Sequence, residues 1–111
     1  MKDILVLVPR TMNAPVIPGD AMLVHFHTAV DAVVALRASD APAVLVTDGL
    51  DAEDLDSLAA ALRDRTGPCI EVRLAGWDGE THSPVSGACK GVLSGFGANG
   101  VQRAVEYLSA Q

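Results

Sequence analysis

The sequence predicts a single α/β domain built on a parallel β-sheet, and three observations carry that expectation. Ile4-Leu5-Val6-Leu7-Val8 is an unbroken apolar run closed by Pro9, the pattern of a central strand covered on both faces, where no alternate residue needs to meet water. Short strand-like runs then alternate with segments of helical period, as in βα units joined by right-handed crossovers. The stretch from Pro68 to Leu108 adds a strand, a polar loop, a second strand, a Gly-rich turn and a closing helix.

Taken in order, the first strand is followed by Pro9 to Asp20, with Pro15, Pro18 and Gly19 and no helical period, which reads as a loop. A parallel crossover needs about a dozen residues including its helix. The first crossover helix is therefore expected to be missing, or the second strand to be displaced to an edge or an oligomer contact. Ala21–Phe26 is that second strand. Thr28 is placed to N-cap a helix running to Arg37, with Asp31 in the first turn, where the helix dipole favours a carboxylate. Ala29, Val30, Val33, Val34 and Leu36 supply its apolar side.

Pro42 introduces a third strand, Ala43–Val46, and Thr47-Asp48-Gly49 turns the chain at its C-terminal end. The second helix, from about Asp51 to Arg65, is the best marked: Asp51, Glu53, Asp54 and Asp56 crowd its start, Arg63 and Arg65 its end, and Gly67-Pro68 stops it. Leu55, Leu58, Ala59 and Leu62 form its buried stripe. Ile70 to Arg73 and Gly91–Ser94 are short, β-branched and bounded by Pro and Gly, as buried strands are. From Val101 the apolar residues Val101, Ala104, Val105 and Leu108 fall on one helix face.

The 111 residues make one domain, 1–111, long enough for a core. Half the residues are apolar and 20% are charged, a compact composition and not a disordered one. A net charge of −6 without any basic run excludes nucleic acid or an anionic membrane as a partner held by diffuse charge. The opening Met1-Lys2-Asp3 leads into too short an apolar run for a signal segment or a span, so a cytoplasmic protein is expected. Cys69 and Cys89 lack the paired spacing of a zinc or thioredoxin-type site and are expected as buried thiols.

In open α/β sheets the ligand sits beyond the C-terminal strand ends, near the switch point of strand order. Arg10 and Asn13 follow the first strand, Thr47 and Asp48 the third, and Arg73 ends the fourth, with Glu53 early in the second helix. Two arginines among carboxylates and helix N-termini point to a small anionic ligand. The bland alternative is that both arginines are solvated strand ends with local ion pairs. Gly95-Phe96-Gly97-Ala98-Asn99-Gly100 matches a dinucleotide fingerprint, but no further strand or acidic ribose ligand follows, so it reads as tight strand-to-helix packing. His25 and His27 lack a third ligand for a metal. His82-Ser83 lacks a carboxylate placed to orient a nucleophilic pair. No cofactor and no metal are expected.

Glu71-Val72-Arg73-Leu74, His82-Ser83-Pro84-Val85, Gly91-Val92-Leu93-Ser94-Gly95-Phe96-Gly97-Ala98-Asn99-Gly100 and the following Ala-Val-Glu-Tyr-Leu segment resemble the C-terminal third of type II 3-dehydroquinate dehydratases. The resemblance covers the second half of the chain better than the first. It implies a flavodoxin-like sheet of order 2-1-3-4-5 and trimers, often paired into dodecamers. Mapped onto it, the family's Gly-Pro-Asn becomes Val8-Pro9-Arg10, and its arginine- and tyrosine-bearing lid has no counterpart in Ala14 to Asp20. The family's Asn-Pro-Gly-Ala-Tyr-Thr-His becomes Thr47 to Glu53, which sets Thr47 at an orienting asparagine and Glu53 at a histidine. Its Glu-Val-His becomes Glu71-Val72-Arg73, exchanging the acid histidine for an arginine that cannot return a proton. Leu74 and Ala75 stand where backbone amides hold the substrate carboxylate.

These losses make dehydroquinate dehydration an unexpected activity and leave two main readings. The first is a divergent protein that binds or acts on another small carboxylate, with Arg10 and Arg73 as clamps, Glu53, Arg73 and His82 as catalytic candidates, and Asn13, Thr47, Asp48, Leu74 and Ala75 lining the site; as an enzyme it would be lyase-like. The second is a non-catalytic homo-oligomeric scaffold, a trimer on the family's pattern. A receiver-like signalling domain is disfavoured, because the acidic pair after the first strand and the lysine ending the fifth are absent.

Overall fold

The computed structural model describes residues 4–9, 21–48, 50–73, 89, 91–94 and 99–110. In chain order these form β1 (Ile4–Pro9), β2 (Ala21–Phe26), α1 (Ala29–Ala38), β3 (Ala43–Val46), α2 (Ala52–Arg63), β4 (Cys69–Arg73), β5 (Gly91–Ser94) and α3 (Asn99–Ser109). The five strands are all parallel in the order 2-1-3-4-5, the flavodoxin-like arrangement. Each predicted element is present, with ends shifted by one or two residues. The crossover helix expected to be missing between β1 and β2, and the Gly-rich turn at 95–98, lie outside the described residues.

Alternation along the strands sorts the apolar side chains into two cores, one on each sheet face. Leu5, Leu7, Ala43, Leu45 and Cys69 face α1 and α2 and pack with Ala32, Leu36, Leu55, Leu58 and Leu62. Ile4, Val6, Val8, Val44, Val46, Ile70 and Val72 face the opposite way, against Val101, Ala104, Val105 and Leu108 of α3. Every residue of β1 and β3 is buried. Full burial of each large aliphatic side chain contributes roughly 1.5–3 kcal/mol, so the continuous apolar runs are what hold the middle of the sheet.

The helix ends follow local chemistry. Asp31 accepts from the backbone N–H of His27 at 3.1 Å and of Thr28 at 3.4 Å, closing the start of α1. Asp51 caps α2 by accepting from Asp54 N at 2.8 Å. Arg65, expected at the end of the second helix, lies two residues beyond it and serves the other helix: Nε donates to Leu36 O at 3.1 Å, and Nη2 donates to Ser39 O at 2.7 Å and Ala41 O at 2.5 Å. These are carbonyls at and just past the C-terminus of α1, for which the helix has no N–H donors within its own turns.

One expectation for α1 is corrected. Val30 and Val34 are not on its buried side but are 69% and 62% exposed, and Ala29, Ala32 and Leu36 make the contact with the sheet. The run is apolar on both sides, so its period does not distinguish the faces; the packing of α1 against α2 does.

Candidate functional site

Thr47 leaves β3 at the C-terminal end of the sheet, and its backbone N–H stays on the ladder by donating to Val72 O at 3.1 Å. That bond holds Thr47 beside the end of β4. Glu71 and Arg73 point to the same face of β4 because they are two residues apart, and the register Leu45↔Glu71 carries that face toward Thr47. The sequence therefore sets a hydroxyl, a carboxylate and a guanidinium side by side.

Their geometry is a chain of hydrogen bonds on one oxygen. Thr47 Oγ1 donates to Glu71 Oε2 at 2.6 Å, and Arg73 Nε donates to the same oxygen at 3.3 Å. Glu71 is 0% exposed and Thr47 4%. A carboxylate with no water contact is strongly unfavourable unless it is paired and hydrogen-bonded, and both conditions are met here. Among the described residues no buried side-chain nitrogen or oxygen lacks a partner.

The Arg73 side chain is 20% exposed and keeps contact with solvent at the strand end. Its Nε is held by Glu71, while its two terminal nitrogens have no protein acceptor among the described residues. This is a guanidinium fixed at its stem with its outer donors open, the form in which arginine meets a carboxylate with two parallel bonds. The local ion pair that the bland alternative expects of Arg73 is present, to Glu71 two residues back, and it sets the orientation of a half-buried side chain from inside the sheet.

Cys89 adjoins this group from the residues before β5. Its thiol is held above the ordinary cysteine range by a hydrogen bond with Cys69, by burial, and by the charges of Cys69 and Glu71. It is therefore neutral near pH 7.

Of the sequence candidates, the structure brings Thr47 and Arg73 together, with Asp48 half-buried next in the chain. Glu53 is exposed in the first turn of α2, and no hydrogen bond or ion pair joins its side chain to the cluster among the described residues. Arg10, Asn13, Leu74, Ala75 and His82 lie outside the described residues. Glu71, absent from the sequence candidates, is the centre of the cluster. Its signal is visible in hindsight, a lone acid inside the apolar run Cys69-Ile70-Glu71-Val72, since a charge is rarely kept in a buried strand without a partner.

His25 and His27 are both exposed, and His27 lies past the end of β2, with its backbone N–H on Asp31. No group of three metal-ligating side chains occurs among the described residues. A groove of about 350 Å³ lies among Ile4, Leu5, Met22, Val24, Ala35, Ser39 and Ala41. It sits by the N-terminal strand ends, away from Arg73, and carries no charged residue with which to hold an anion. No described helix is long and apolar enough to cross a membrane.

No protein-family model matches the chain, and no curated protein matches it by sequence. Solved structures do. A type II dehydroquinase from Propionibacterium acnes superposes with a TM-score of 0.81 at 20% identity, covering 100% of both chains. A 3-dehydroquinate dehydratase-like protein from Bifidobacterium longum gives 0.68 at 15% identity, covering 99% of this chain and 97% of that one. The five-stranded parallel sheet of order 2-1-3-4-5, with its helices on both faces, is thus the fold of the type II dehydroquinases over the full length of the chain.

Proposed function

We propose that this protein binds, or acts on, a small carboxylate at the C-terminal ends of β3 and β4, with Arg73 as the principal anchor, and that it does not dehydrate 3-dehydroquinate. The observation that carries the reading is the Arg73 guanidinium, gripped at Nε by a fully buried Glu71 and with no acceptor for its outer nitrogens among the described residues. The fold likeness supports the location, since ligands of open parallel sheets sit beyond these strand ends. Where the resembled family has an acid histidine this chain has Arg73, and the family's lid tyrosine has no counterpart. Each such loss typically costs about 10²–10⁴-fold in rate.

The test is calorimetric titration of the protein with small carboxylates, wild type beside Arg73→Lys and Arg73→Ala, together with an assay for turnover of 3-dehydroquinate. Arg73→Ala is expected to weaken carboxylate binding by roughly 1.5–3 kcal/mol, the worth of a charged hydrogen bond. Arg73→Lys keeps a charge beside Glu71 but loses the parallel donors, so it separates anchoring from folding. Wild-type affinity in the lysine variant, or dehydration at the rate of an authentic enzyme, overturns the reading.

A symmetric homo-oligomer, the trimer implied by the resemblance, belongs to the same proposal and remains the basis of the alternative reading as a non-catalytic scaffold. Its support is the exposed apolar surface of Val30, Val34 and Met22, the last 60% exposed on edge strand β2. The free thiols of Cys69 and Cys89 fit a cytoplasmic setting.

A further inference from the structure

We propose that Cys69 and Cys89 are a disulfide-forming pair, closed within the folded chain by a low-molecular-weight disulfide such as oxidised glutathione and reopened by thiols. Cys69 is the first residue of β4, and Cys89 comes two residues before β5. The register Ile70↔Gly91 sets the starts of these parallel neighbours side by side, with Cys69 one residue and Cys89 two residues before that pair; adjacent strands run about 4.8 Å apart, and a one-residue offset keeps such a pair close to the Cα separations a disulfide spans. Cys89 packs against the core cluster that contains Cys69. Both are free in this structure.

Burial sets the order of events. Cys69 is buried, whereas Cys89 is only partly so and is the sulfur a small reagent reaches first. The Cys89 thiolate attacks one sulfur of glutathione disulfide, the S–S bond breaks, and one glutathione leaves as a thiolate that takes up a proton. The Cys69 thiolate then attacks the Cys89 sulfur of the mixed disulfide, and the second glutathione leaves in the same way. Two protein thiols are oxidised, and one glutathione disulfide is reduced to two thiols. Only thiolates attack, and the Cys69 hydrogen bond, burial and the Glu71 charge hold Cys89 protonated. Closure is therefore slow near neutral pH and accelerates as the pH rises, unlike that of an exposed low-pKa sensor cysteine.

The experiment treats the folded full chain with oxidised glutathione at mildly alkaline pH, alkylates remaining thiols, and maps tryptic peptides by mass spectrometry; cleavage at Arg73 separates the two cysteines. Expected are a cross-link between the Cys69 and Cys89 peptides, its reversal by dithiothreitol, and a melting temperature raised by roughly 5–15 °C. Cys69→Ser is expected to accumulate the mixed disulfide on Cys89, and Cys89→Ser to leave Cys69 unreacted. A stable mixed disulfide on wild-type Cys89 with Cys69 still alkylated overturns the proposal. So does a cross-link between two chains, or a pair that reacts only after denaturation.

Discussion

Arg73 is aimed by groups it does not itself choose. The Thr47 hydroxyl and Arg73 Nε share one Glu71 oxygen, so the buried acid is the hinge of the cluster. Thr47→Val keeps the shape and removes the donor, and leaving a buried carboxylate oxygen short of a bond costs about 1–3 kcal/mol. Urea denaturation is expected to show that loss in Thr47→Val and little of it in Thr47→Ser, which retains a hydroxyl; equal stability of all three chains would mean that the bond is not formed in solution. Cys89 gives a second expectation through its protonation. Its folded-state pKa is raised above the unperturbed 9.0, so the unfolded chain loses this proton first and binds fewer protons above that pH. The stabilisation is complete below pH 9.0 and is lost as the pH rises beyond it, with a slope of about 1.4 kcal/mol per pH unit from this one group. Cys89→Ser is expected to remove that slope from denaturant midpoints measured above pH 9.0.

Among the described elements, the α1–β3 junction is heavily bonded by a single side chain. Arg65 satisfies Leu36, Ser39 and Ala41 carbonyls just where α1 stops and the chain turns toward β3. The exposed Arg37–Asp64 ion pair nearby, at 2.9 Å, adds little, because both partners remain solvated. Gly67 allows the same junction to close: a Cβ there would stand 2.0 Å from Asp40 O. Arg65→Ala leaves the part-buried Leu36 and Ala41 carbonyls without this donor and is expected to lower stability by about 1–3 kcal/mol, whereas Arg37→Ala shifts it by less than about 0.5 kcal/mol. Thermal denaturation of the two variants side by side separates these outcomes, and equal losses would contradict the assignment.

At the scale of the whole molecule, β1 is buried on both faces, whereas edge strand β2 is largely half-buried or exposed; residues 10–20, where a first crossover would run, lie outside the described residues. Among the described residues, Val30 and Val34 of α1 and Met22 of edge strand β2 are exposed, as are Val92 of β5 and Tyr107 of α3; the first three carry the most exposed apolar surface. If a second copy covers this surface, Val30→Glu and Val34→Glu together are expected to convert an oligomer to monomers in light scattering at micromolar concentration, without loss of helical circular dichroism. A wild-type chain that is already monomeric there would end the oligomer proposal.

The sequence by itself determined the elements, while their order in the sheet was implied by the family resemblance and is decided by the pairing of the strands. Unbroken apolar runs are incompatible with a half-exposed strand, Asp31 and Asp51 mark helix starts by their own hydrogen bonds, and Val101, Ala104, Val105 and Leu108 define a face by spacing alone. These are local properties, and short-range physics suffices to read them. It also placed Thr47 and Arg73 correctly at strand ends. What it did not reveal was which side of α1 is buried, because Ala29-Val30 and Val33-Val34 are apolar on either side and only packing against the sheet and α2 chooses. Nor did it reveal Glu71 as the centre of the cluster or Cys69 as the partner of Cys89. Both relations join separate strands, and the register of β3 with β4 and of β4 with β5 decides them through hydrogen bonds between segments far apart in the chain.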